Sequence, residues 1–332
     1  FRRVLFRSHH RQVDRGGEDH QRDRLLREGA GQVRRDAAKG DGRKPGRHRL
    51  GQARCVHAGV QEVVRRQQGG GREGGRARAE LVVQGDLHHL GLQVFASCRK
   101  QKDVTKLKSM GLNSILLDVT DPKSIDSALD NILTQTSGTL DVLFNNAGYG
   151  QIGAVEDLSK TAIFEQFNTN VFGLLELTNR IIPIMREQGS GKIIATSSVL
   201  GFIAMRYRGA YVASKFALEG LFDTLRLELK HSPISVSLIE PGPIESRFRA
   251  NATNIFQSHI NPQTSAHYVQ YLNMQKHDQS DAASKKRDIF TLSPAAVTNK
   301  VLKIIASDKP KARYSVTFPT YLFHILVRIL PV

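Results

Sequence analysis

The chain has 332 residues, is 40% hydrophobic and 7% aromatic without a tryptophan, and carries a formal charge of +17, enough apolar material for one large or two ordinary domains. Its two cysteines, Cys55 and Cys98, exclude a disulfide framework or a cysteine metal cluster and fit a reducing cytoplasm. No stretch reaches the roughly 18–20 apolar residues of a membrane span and no secretory leader opens the chain, so a cytoplasmic protein with no metal site and no membrane span is expected.

In chain order, residues 1–90 come first and differ from the rest. They hold 21 Lys and Arg against 11 Asp and Glu, and no Ile, Met, Asn, Thr, Tyr or Trp. From His9 onward nearly all codons of the residues in use begin with G or C, a bias no fold requires. A wrong or antisense frame of a GC-rich template produces it. The opening FRRVLFRS is a codon-by-codon translation of a common sequencing-adapter oligonucleotide. Residues 1–8 therefore read as adapter and about 9–90 as out-of-frame, disordered sequence. An RNA-binding Arg/Gly tail is the rival reading. It would have Phe1 and Phe6 as its only stacking aromatics, and its acids blunt the field, so no nucleic-acid partner is expected.

From Gly91 short runs rich in Val, Ile and Leu predict buried parallel strands at 93–98, 113–119, 140–148, 191–198, 234–243 and 312–318. Helical patterns separate them. One follows Asp121-Pro122, a helix-start pair. A long one covers 161–188, and another covers 211–230 with Phe216, Leu218, Leu221, Leu225 and Leu229 on one face. A last one begins near Pro294. This alternation predicts an α/β, doubly wound parallel-sheet Rossmann fold over 91–332. Residues 249–290 form a polar insert of low periodicity. The tail, PTYLFHILVRILPV, has Arg328 as its one charged residue. Packing on the body is the first expectation for it, a dimer interface or a membrane surface the others.

YVASK, residues 211–215, carries the chemical argument. On a helix Tyr211 and Lys215 share a face, and an ammonium beside a phenol lowers the phenol pKa, giving an acid or base usable near neutrality. Ser198 ends the strand KIIATSS, at the sheet edge where ligands of open α/β sheets bind, and its hydroxyl can hold a substrate oxygen beside Tyr211. Asn170 sits mid-helix, where its amide is mildly unfavourable and implies a specific partner. At the end of the second strand Ser97, Cys98, Arg99 and Lys100 replace the acid that would select NAD. The fork of Arg99 suits a 2′-phosphate, so NADP(H) is expected.

NNAG at 145–148, Asn170 in NTNVFG, Ser198 in ATSSVLG, YVASK and EPGPIESRF at 240–248 together resemble the short-chain dehydrogenase/reductase superfamily, in particular bacterial NADP-dependent aldehyde reductases and hydroxysteroid or retinol dehydrogenase-like members. The resemblance begins near Gly91 and implies roles. Tyr211 exchanges a proton with the substrate oxygen, Lys215 lowers its pKa and holds the nicotinamide ribose, Ser198 places the oxygen, and Asn170 holds a relay water. Asn146, Ala147 and Gly148 line the cofactor, and Asn145 ties the central strands. Asp118 and Val119 meet the adenine, and Pro241, Gly242, Ile244 and Ser246 frame the carboxamide. Residues 249–290 become a mobile substrate lid, and a homo-oligomer is expected. Leu200, Phe202, Ile203 and Met205 would wall an apolar pocket for a hydrophobic aldehyde, ketone or alcohol.

The family's first strand, its glycine loop and its first helix should precede Gly91. Residues 1–90 do not resemble them, and GGGREGG at 69–75 has no apolar strand before it. Strands two and four would then flank a gap, leaving the domain truncated and the chain possessed of a catalytic set but no phosphate-binding turn. Three functions stay open: an NADP(H) oxidoreductase, a non-catalytic binding protein of the same fold, and a nucleic-acid-binding fusion through the basic tail.

Overall fold

The computed structural model describes residues 54–60, 93–284 and 289–330, with backbone only for 54–60 and 277–284. They belong to a compact unit spanning Arg49–Val332. The strands are β1 (Arg54–Val60), β2 (Gln93–Cys98), β3 (Asn113–Leu116), β4 (Val142–Asn145), β5 (Gly191–Thr196), β6 (Ile234–Glu240) and β7 (Arg313–Ser315). They form one sheet in the order β3-β2-β1-β4-β5-β6-β7, and every pairing is parallel.

The expected gap is filled, which corrects the sequence reading. β1, RCVHAGV, lies between β2 and β4. Cys55 pairs with Val94 on one side and Val142 on the other. The central backbone groups are therefore satisfied, and the domain includes residues ahead of Gly91. Arginine-rich flanks and the missing threonine hide this seven-residue run, whose Cys55, Val56, Ala58 and Val60 are adequate for a buried strand. Residues 61–92, where the expectations about the glycine loop and first helix fall, lie outside the described residues, as do 1–53.

The helices are α1 (Gln101–Ser109), α2 (Pro122–Gln135), α3 (Lys160–Phe167), α4 (Gly173–Glu187), α5 (Gly209–Glu228), α6 (Phe248–His259), α7 (Tyr268–Ser284), α8 (Ala295–Ala306) and α9 (Phe318–Ile329). Strand alternation divides the core. Leu143 and Ile193 face Leu174, Leu177, Leu218 and Phe222 on one side, while Val142, Phe144 and Ile194 face Val301 and Ile304 on the other. Each fully buried side chain of this kind contributes about 1.5–3 kcal/mol. The Asp121 carboxylate caps α2 by accepting from Lys123 N at 3.0 Å, with Pro122 in the first turn. Lys192 Nζ donates to the carbonyls of Ile304, Ile305 and Ser307 at the C-terminus of α8, where the helix dipole favours a cation.

The single long helix expected over 161–188 is two helices joined by a π-helical turn, Asn168–Phe172. Such a turn has no signature in apolar spacing, and it is often found at functional sites. Gly173 follows it because a Cβ there would lie 2.3 Å from the carbonyl oxygen of Val119. Between β6 and α8, the insert holds α6 and α7. Ala252, Phe256, Ile260 and Tyr271 pack against Ile152 and Ala154, too few apolar anchors to show as a stripe in sequence.

Candidate active site

Because the sheet is parallel, segments that follow β2 to β7 leave from one edge, and the singled-out residues collect there. The arrangement starts at Thr196, the last residue of β5. Its hydroxyl donates to Asn146 Oδ1 at 2.7 Å, and its carbonyl accepts from Lys215 Nζ at 2.7 Å. Two residues on, Ser198 leaves the strand. Its Oγ accepts from Leu200 N at 3.1 Å and lies near enough to the Tyr211 phenol to pull its pKa down. Val199 N donates to Pro241 O at 2.9 Å, which fastens the serine turn to the loop after β6.

Tyr211 and Lys215 lie one turn apart in α5, both buried. The Lys215 ammonium is 5.7 Å from the centre of the Tyr211 ring. Burial pushes the phenol up to about 12, with the Ser198 hydroxyl pulling the other way. The Lys215 ammonium is held on Thr196 O at 2.7 Å. Phe248 supplies part of the cover: its ring meets Tyr211 edge-on at 5.3 Å between centroids, and a Cβ on Gly150 would strike it at 2.8 Å.

Burial also lowers Lys215, to about 8, against a smaller upward pull from Glu219. Between about 8 and the ordinary 10.5 the folded chain binds fewer protons than the unfolded one, so stability must rise with pH across that window. Relative to Lys215→Met, wild type is expected to gain on the order of 3 kcal/mol through that range. Parallel curves of melting temperature against pH for the two proteins would contradict it.

Asn170, in the π turn, is fully buried. Its Oδ1 accepts from Tyr149 N at 3.0 Å, and its Nδ2 donates to Tyr149 O at 2.9 Å and Ser214 Oγ at 3.2 Å. The side chain is a strut between the segment after β4 and α5. Gly148 lies against it, where a Cβ would sit 3.3 Å from Oδ1. Asn145 Nδ2 donates to Thr178 Oγ1 at 2.8 Å, tying β4 to α4. Ala147 is buried beside the sheet edge.

Farther along the edge, the Asp118 carboxylate accepts from Thr120 N and Oγ1, while Asp118 N donates to Ser124 Oγ. Val119 is buried against Gly173. Arg99 is exposed at the end of β2. Its charge reaches Tyr149, whose phenol burial and Glu165 raise to about 12 while Arg99 pulls it down. On the other flank Pro241 and Gly242 turn over the start of α9, and a Cβ on Gly242 would be 2.1 Å from Thr317 Oγ1. Ile244 bridges to Leu292, and exposed Ser246 accepts from Phe248 N at 3.3 Å. Of the proposed pocket wall, Leu200 is buried, Phe202 and Ile203 are half-buried, and Met205 is 53% exposed and faces solvent. Among the described residues no group of three His, Cys, Asp or Glu could hold a metal.

A second cluster behind the edge escaped the sequence reading. Glu240, the last residue of β6, is fully buried. It meets Arg313 Nε at 3.2 Å and His324 Nε2 at 2.6 Å, and accepts from Ser315 Oγ at 3.3 Å. Arg313 also holds Glu219 at 2.9 Å and Asp223 at 2.6 Å. Burial raises the Glu219 carboxyl, with Glu240 adding to it and the hydroxyl of Ser197 and Arg313 opposing. His324 stacks on Phe202 at 3.9 Å. A glutamate closing the apolar run ISVSLI was the available signal; its partners lie some 70 to 85 residues later and carry none.

This edge, with its serine, tyrosine and lysine, is that of an oxidoreductase, and the chain belongs to the short chain dehydrogenase family, whose model matches residues 73–255. The match opens ahead of Gly91, earlier than composition placed it. Over 249 residues the chain is 42% identical to the oxidoreductase YbbO of Escherichia coli K12, covering 74% of this chain and 84% of that one. It is 30% identical over 250 residues to the NADPH-dependent 3-dehydrocapnine reductase of Ornithobacterium rhinotracheale, covering 73% and 85%. It is also similar in fold, at TM-score 0.63 and 22% identity over 84% of this chain and 92% of the other, to a short chain dehydrogenase/reductase from Burkholderia phymatum solved with NAD.

Proposed function

We propose that the protein is an NADP(H)-dependent oxidoreductase that interconverts a hydrophobic aldehyde or ketone and its alcohol, with Tyr211 as general acid and base. The observation that carries this reading is the gathering of buried Ser198, Tyr211 and Lys215 at the carboxyl edge of the sheet, with the Lys215 ammonium 5.7 Å from the Tyr211 ring and anchored on Thr196 O. Tyr211 exchanges the proton with the carbonyl or alcohol oxygen of the substrate. Ser198 holds that oxygen, and Thr196 orients both Lys215 and Asn146. Phe248 against the phenol and apolar Leu200 and Phe202 in the segment after Ser198 suit a hydrophobic substrate, with α6 and α7 as its cover.

The residues present fit a nicotinamide dinucleotide. The end of β2 carries an exposed arginine and no carboxylate, and Asp118, Val119, Asn146 to Gly148, Pro241, Gly242, Ile244 and Ser246 follow β3, β4 and β6 at the carboxyl edge of the sheet. When bound, NADP(H) supplies or accepts the hydride. Arg99 would hold the 2′-phosphate, Lys215 the ribose, and the loop after β6 the carboxamide. A cytoplasmic setting and a homo-oligomer are expected.

Initial rates with NADPH and NADH on a series of apolar aldehydes test the reading, and no turnover with either would end it. Arg99→Asp is expected to lower the preference for NADPH about 10–100-fold, the worth of one charge-assisted hydrogen bond. An unchanged ratio would remove Arg99 from the cofactor site.

A further inference from the structure

An ordinary surface helix turns its apolar side chains inward. α9 is turned the other way. Thr320 is its only buried residue. Its inward contacts are polar: Thr320 Oγ1 with Thr317 Oγ1, Tyr321 OH donating to Ser315 O, and His324 on Glu240. Meanwhile Phe318, Leu322, Ile325 and Ile329 stand 63%, 39%, 57% and 70% exposed, at the spacing of one helical stripe. Phe323 and Val327 widen the exposed apolar arc. Phe290 stacks on Phe318 at 6.0 Å, and Ile289 beside it is 85% exposed, so the apolar patch runs beyond the helix. Contiguous exposure of this kind marks an interaction surface.

The charge around the patch says what would cover it. Residues 289–330 contain six Lys and Arg and a single acid, Asp308; Arg313 is taken up by Glu219, Asp223 and Glu240, and Arg328 lies on α9 itself. Lys300 Nζ lies over the Tyr321 ring at 5.9 Å and donates to its hydroxyl at 3.2 Å, a basic group at the patch edge. A second copy packed two-fold on this face would set the same basic residues against themselves. An anionic bilayer would neutralise them, at about 1 kcal/mol per Lys or Arg near the surface. Its acyl boundary also accepts a wide apolar arc, which a single packing stripe does not. The helix is not one that crosses: among the described residues none is long and apolar enough to do so.

We propose that α9 is a membrane-contact helix that lies in the interface of an anionic bilayer, with Phe318, Leu322, Ile325 and Ile329 among the acyl chains and the neighbouring basic residues at the headgroups. Through His324 the helix reaches Glu240 and Phe202, so docking brings the sheet edge close to the lipid. The docking itself does not depend on the reductase reading.

The full chain is sedimented with vesicles of phosphatidylcholine alone or mixed with phosphatidylglycerol, and its oligomeric state is measured in parallel. Wild type is expected to pellet with the anionic vesicles and to be released by salt. Ile325→Asp/Ile329→Asp, at two exposed positions with melting temperature checked, is expected to bind at least about 10-fold more weakly. Wild type left in the supernatant overturns the proposal. So does a variant that pellets like wild type, which would assign binding to another part of the chain. So does a wild-type dimer, free of lipid, that the variant splits.

Discussion

Tyr211→Phe is expected to slow carbonyl reduction by about 10²–10⁴-fold, the range for loss of a positioned general acid, while NADPH affinity changes little. The phenol lies in α5 one turn before Lys215, and removing its oxygen leaves the ring, its packing on Phe248 and the α5 helix in place. The loss therefore falls on kcat and kcat/KM together, as for an interaction made at the transition state. Steady-state NADPH consumption and a fluorescence titration of NADPH, run on the same preparations, separate the two effects. A variant within threefold of wild type in kcat (about 0.6 kcal/mol by the transition-state relation) would assign the proton to another group. Loss of NADPH binding alongside kcat would make Tyr211 a binding residue instead.

Arg313→Met should cost about 3–5 kcal/mol of folding stability, the usual penalty for stranding a buried charge. The guanidinium holds Glu219, Asp223 and the fully buried Glu240. Without it two buried carboxylates face each other with only His324, Ser315 and Ser197 nearby. The folded protein would then hold these carboxyls protonated to higher pH than the unfolded chain does. With more protons bound when folded, stability falls as pH rises through that window. The deficit of the variant is thus largest near neutrality and shrinks on acidification, and Glu240→Gln in the same chain should recover part of it. Urea unfolding across pH reads all of this, and a deficit under about 1 kcal/mol would place the cluster with ordinary surface ion pairs.

Much of the fold could be read in the residues. β2 was placed at Gln93–Cys98 to the residue, and α2 starts where Asp121-Pro122 calls for it, because buried parallel strands and capped helices carry local signals. Ser198, Tyr211 and Lys215 were legible for the same reason: a helical spacing and a strand end place them without knowledge of distant contacts. β1 was misjudged because composition over ninety residues was allowed to outweigh a seven-residue run. That run becomes a strand through its partners Val94 and Val142 on either side. Nor did spacing foretell the π turn at Asn168–Phe172, Phe248 over Tyr211, or the Glu240–Arg313–His324 cluster. Each depends on segments far apart in the chain.

By itself, then, the sequence determined the strand–helix alternation, the family and the candidates for the proton-handling side chains, since these rest on period, caps and short motifs. Only the tertiary structure decided their surroundings. Burial, with Phe248 as part of the cover, pushes the Tyr211 phenol up, and the Lys215 ammonium is turned onto Thr196 O. Likewise the apolar tail becomes an outward-facing helix because His324 and Thr320, its polar residues, find partners in Glu240 and Thr317. A hydrogen bond to a buried carboxylate outweighs the gain from burying one more aliphatic side chain only where the fold has already put that carboxylate in place.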